Sequence, residues 1–105
     1  MGWQIKVVQG AVVKINGEKQ TIPADQIREV QTVQIGKPAF KEDSETWSKG
    51  FKAETTLGLL VWEVTFSLDQ SGADLENSCL ASAPEGVEVV EGPKFELVEC
   101  ESDNG

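Results

Sequence analysis

The chain predicts a small all-β fold, a mostly antiparallel β-sandwich or barrel of about seven strands with at most one or two short helices. Three features carry this reading. Apolar residues recur at every second position over most of the 105 residues, the dipeptide Asn16-Gly17 separates two such runs, and no long amphipathic helical stripe competes. At this length the chain forms one domain, expected over residues 1–100 with a polar tail at 101–105, and buries somewhat more than ~60% of its unfolded surface.

The first strand is WQIKVV, where Trp3, Ile5 and Val7 alternate with Gln4 and Lys6. AVVKI and EKQTI then flank Asn16-Gly17, two residues that tolerate the positive φ angles of a type I′ turn. Pro23 ends the second arm, because it has no N–H for a ladder hydrogen bond. PADQIREV admits one or two helical turns, and VQTVQI is β-branched enough for a strand from about Val30 to Ile35. KEDSETWSKG (residues 41–50) suits either a short helix, with acids first and Lys49-Gly50 last, or a plain loop.

From Phe51 the period of two returns, with Phe51, Ala53, Thr55 and Leu57 on one face. In LLVWEVTFSL the residues Leu60, Trp62, Val64, Phe66 and Leu68 form an unbroken apolar face, which belongs in the middle of a sheet. At ~2 kcal/mol each, their burial contributes roughly 10 kcal/mol before opposing terms. Residues 69–77 read as a polar loop, and GVEVVEGPKFELVEC as a second hairpin around Glu91-Gly92-Pro93-Lys94.

Charge is divided unevenly along the chain. Residues 1–52 hold eight basic and six acidic groups, whereas residues 53–105 hold Lys94 against twelve acids, which accounts for the net −9. Such a surface repels phosphate backbones and disfavours nucleic-acid binding. The longest apolar run, Leu57 to Trp62, is far short of the ~18 residues of a membrane helix and contains a glycine. MGWQIKVVQG has no signal-peptide pattern, so a cytoplasmic location is the expectation.

Chemistry is bounded by what is missing. Without histidine or tyrosine, Ser-His and Cys-His mechanisms and a phenolic acid cannot operate. No phosphate-cradling glycine motif occurs either, and the chain is read as non-enzymatic with no cofactor. Cys79 and Cys100 are two reduced thiols or one disulfide. That bridge would close about 22 residues and contribute roughly 3 kcal/mol.

Three candidate sites remain. The leading one is an acidic C-terminal sheet face of Glu85, Glu88, Glu91, Glu96 and Glu99 that attracts a basic protein partner, as an inhibitor or immunity-like protein would. Trp47, between Thr46 and Ser48, is its candidate exposed anchor. The alternative is a calcium- or carbohydrate-binding role for the 69–77 loop, where Asp69, Asp74 and Glu76 offer oxygen ligands without EF-hand spacing. For the glutamates, the competing reading is solubility and protection of an edge strand.

Overall fold

The apolar face of LLVWEVTFSL lies inward along a central strand, as its alternation requires. The computed structural model describes residues 2–36, 45–69 and 72–100. Among them are nine strands rather than about seven: Gly2–Gln9 (β1), Ala11–Ile15 (β2), Glu18–Ile22 (β3), Arg28–Gly36 (β4), Glu45–Thr55 (β5), Gly58–Asp69 (β6), Gly72–Ser82 (β7), Val87–Glu91 (β8) and Lys94–Cys100 (β9). A single 3-10 turn, Ala24–Gln26, is the only helical element among the described residues. The strands form three antiparallel sheets in the orders β4-β5-β6-β7, β3-β2-β8 and β1-β9.

On β6 the side chains of Leu60, Trp62, Val64 and Phe66 are buried, and Leu68 packs against them. The other face is wetter: Leu59 and Glu63 are exposed, whereas Ser67 is buried. Phe51 and Ala53 of β5 join the core, as do Ile5 of β1, Ala11, Val13 and Ile15 of β2, Ile22 and Ile27. All three sheets therefore feed one cluster. The rings of Phe51 and Phe95, 4.8 Å apart and tilted by 43°, tie β9 to β5.

The first hairpin follows its local chemistry. Asn16 (φ 52°) and Gly17 (φ 84°) take the positive angles of a type I′ turn, and β2 pairs β3 from Ala11 opposite Ile22 to Ile15 opposite Glu18. Gly10 permits the sharp passage from β1 into β2. A Cβ there would collide with the backbone carbonyl of Ile22. The β5–β6 connection is equally tight. Leu57, expected on the strand face, sits in the turn instead, where its N–H donates to Thr55 Oγ1 (3.2 Å) and that hydroxyl donates to the Gly58 carbonyl (2.7 Å).

Several expectations are corrected. The helical reading of PADQIREV shrinks to the 3-10 turn, and β4 begins at Arg28, two residues before Val30. Glu45 to Gly50 are strand, paired with β6, rather than helix or loop; residues 41–44 lie outside the described residues, as does the tail 101–105. Residues 72–77 are strand rather than loop. Most consequentially, β8 and β9 form no hairpin. β8 pairs with β2 and β9 with β1, so the chain changes sheets at Gly92-Pro93. Pro93 has a fixed φ and no N–H, which disfavours a tight two-residue reversal. Pairing with β1 and β2 also places Leu97 opposite buried Ile5 and Val89 opposite buried Val13.

Phe51→Ala is expected to destabilise the protein by about 3–5 kcal/mol, through lost burial and a cavity against Phe95. Leu59→Ala, 45% exposed on the same pair of strands, should change stability by less than about 0.5 kcal/mol. Urea unfolding of the two variants checks the assignment of faces; equal losses would reject it.

Candidate functional site

The five C-terminal glutamates are all exposed, but the four on strands are divided between two sheets rather than gathered on one hairpin face. Glu85 lies in the connection before β8, Glu88 and Glu91 on β8, and Glu96 and Glu99 on β9. On β8, Val87 and Val89 are half-buried and Glu88 points away from them. Strict alternation would return Glu91 to the inner side. A bulge at Val90 intervenes, so Glu91 stands opposite Val12 and shares the outer face with Glu88 and Lys14. On β9, Glu96 points outward between half-buried Phe95 and Leu97. Glu99 is opposite Trp3, on the face that carries Ile5 and Leu97 farther along.

Antiparallel pairing sets the basic first half of the chain beside the acidic second half. Lys14 is directly opposite Glu88, and Lys6 directly opposite Glu96. Opposed residues have Cβ atoms about 5 Å apart, close enough for attraction. Yet among the described residues neither pair closes into an ion pair, whereas Lys49 Nζ reaches Glu29 Oε2 at 2.9 Å. Glu91 accepts one hydrogen bond, from Gln9 Nε2 at 3.1 Å. The carboxylates of β8 and β9 thus stand in solvent with most of their acceptor capacity open.

The tryptophans exchange roles. Trp47 is half-buried and packs against the core, so it does not present the exposed ring expected of it. Its Nε1 and the neighbouring Thr46 Oγ1 are buried without a hydrogen-bond partner among the described residues. Trp62 is in the core, as its strand position requires. The exposed indole is Trp3, at 39%, opposite Glu99 and close to Gly72 at the start of β7. Alternation with Ile5 and Val7 is consistent with a half-buried Trp3, and its place near the end of β1 leaves it partly wet.

The segment expected to bind calcium is mostly strand. Asp69 is opposite Gly72 and Asp74 opposite Ser67, while Glu76 occupies a bulge between Leu75 and Asn77. Glu76 Oε1 accepts a 2.7 Å hydrogen bond from Ser67 Oγ. An extended chain spreads its side chains instead of folding them around an ion, and no three acidic or thiol groups converge on a metal position among the described residues. Cys79 is an exposed free thiol on β7.

No helix among the described residues is long and apolar enough to cross a membrane. Compared with protein-family models, curated proteins and solved structures, the chain matches none.

Ser67→Ala should cost about 1–2 kcal/mol, because it removes a hydrogen bond from a buried hydroxyl to a carboxylate. Denaturant titration measures this, and an unchanged midpoint would dismiss that bond as a stabilising one. Cys79 should be alkylated by iodoacetamide in the folded protein, as read by peptide mass mapping; protection until denaturant is added would contradict its exposure.

Proposed function

We propose that this protein is a non-catalytic interaction module whose partner is a basic protein, engaged by the carboxylates of β8 and β9. The observation that carries this reading is the outward grouping of Glu88 and Glu91, which the bulge at Val90 produces, together with Glu96 beyond it in the chain. Lys14 and Lys6 lie opposite two of these groups without closing ion pairs among the described residues. Carboxylates left in this condition attract cationic side chains from a distance, which chiefly raises the rate of association.

Trp3 takes the place of Trp47 as the aromatic anchor. Its exposed ring stands opposite Glu99, so an arginine or lysine can stack on the indole while meeting the carboxylate. The same carboxylates repel a phosphate backbone, which favours protein over nucleic acid as the partner. A protein that covers and inhibits a basic enzyme or toxin fits these properties.

The test uses an octa-arginine peptide and a set of basic globular proteins as probes. Binding should be measurable at low ionic strength and weaken by about tenfold or more as salt rises past about 0.2 M. Replacing Glu88, Glu91, Glu96 and Glu99 together by glutamine should abolish it while the melting temperature is kept. Salt-independent binding, or equal binding by the fourfold variant, overturns the proposal, as does failure to bind any probe at low salt.

A further inference from the structure

Away from the acidic strands, one place concentrates positive charge. Arg28 at the start of β4 stands directly opposite Lys52 of β5, so both side chains leave the same face of the sheet. Like charges in directly opposed positions are destabilising. Along the same two strands Lys49 is matched to Glu29, opposite charges 2.9 Å apart. Arg28 and Lys52, in contrast, enter no ion pair among the described residues.

These two cations border an open cleft of about 470 Å³ on the solvent face of the sheet, together with Gln26 and Glu54; Lys52 is half-buried and the other three are exposed. That volume lies within the range of small-molecule sites. Gln26 ends the 3-10 turn that leads into β4, and its amide can both donate and accept hydrogen bonds. Glu54 is two residues from Lys52 and therefore on the same face of β5. Among the described residues the lining brings a planar guanidinium, an ammonium, an amide and a carboxylate to a common space.

We propose that this cleft binds a small oxyanion, a carboxylate or phosphate group on a compact molecule that also carries a hydroxyl or amino group. The guanidinium of Arg28 presents paired donors that match two oxygens of such a group. Lys52 supplies a second positive charge from across the ladder, and its half-buried position strengthens the attraction. Gln26 donates a further hydrogen bond. Glu54 repels a bare anion but accepts a hydrogen bond from a neutral hydroxyl or a charged amine, so it selects the donor-bearing molecule. The site is independent of the β8 and β9 carboxylates, and either proposal can fail alone.

Inorganic phosphate, glycerol phosphate and citrate are the probes, followed by amide chemical shifts in the full-length protein. Each should shift the amides of residues 26–29 and 51–54 saturably, with glycerol phosphate binding more tightly than inorganic phosphate. Arg28→Gln and Lys52→Gln should each weaken binding by about tenfold, since each removes a charge-assisted contact. Both variants should retain or raise the ligand-free melting temperature, because each relieves the like-charge pair. Glu54→Gln should tighten binding of inorganic phosphate and narrow the advantage of glycerol phosphate. An absence of saturable shifts at these amides overturns the proposal; so does unchanged affinity in the Arg28, Lys52 double variant.

Discussion

The apolar alternation along β6 requires a place where one whole face of the strand is shielded from water, and that requirement organises the rest. A strand whose inner row is Leu60, Trp62, Val64 and Phe66 needs neighbours on both edges and a second layer over that row. β5 and β7 supply the edges. The apolar sides of β1, β2 and β9 supply the cover, with Phe95 meeting Phe51 at its centre. The hydrogen-bond ladders then follow the burial: strands pair where their apolar rows complete the core.

That arrangement accounts for the chain's charge pattern as well. The basic first half provides β1 and β2, the acidic last part provides β8 and β9, and antiparallel pairing interleaves them. Lys6 and Lys14 offset part of the acidic charge without consuming it. β8 ends its sheet, so its glutamates also discourage a foreign strand from pairing there. Edge protection and the proposed attraction of a basic partner would draw on the same carboxylates. The cation pair of Arg28 and Lys52 lies on other strands, β4 and β5.

Legibility varied with how strongly each segment's own residues constrain it. β6 and the β2–β3 hairpin were legible because apolar alternation and Asn16-Gly17 act within a few residues. β7, GADLENSCLAS, was not. It contains no β-branched or aromatic residue and most of it is exposed, so nothing in its composition announces a strand. It becomes one because the free edge of β6 offers a complete row of backbone partners. The packing of Trp47 was illegible for a related reason: its neighbours Thr46 and Ser48 are polar, and only the pairing with β6 sets the ring against the core. Glu91 needed the bulge at Val90, an irregularity that period-two reasoning does not anticipate. Among the candidate residues, the exposure of the five glutamates was readable; the division of Glu88 and Glu91 from Glu96 and Glu99 between two sheets was not.

By itself, the sequence determined what depends on short-range physics: an all-β chain, the hairpin at Asn16-Gly17, the buried face of β6 and the surplus of carboxylates in the second half. Only the tertiary structure decided which strands meet. β8 lies near β9 along the chain yet pairs with β2, and β9 reaches back to β1. The reason is that backbone ladders are nearly interchangeable, so the choice of partner falls to whichever apolar row is still uncovered once the core has formed. The same long-range choice put Arg28 opposite Lys52, a juxtaposition of residues 24 positions apart that neither neighbourhood contains.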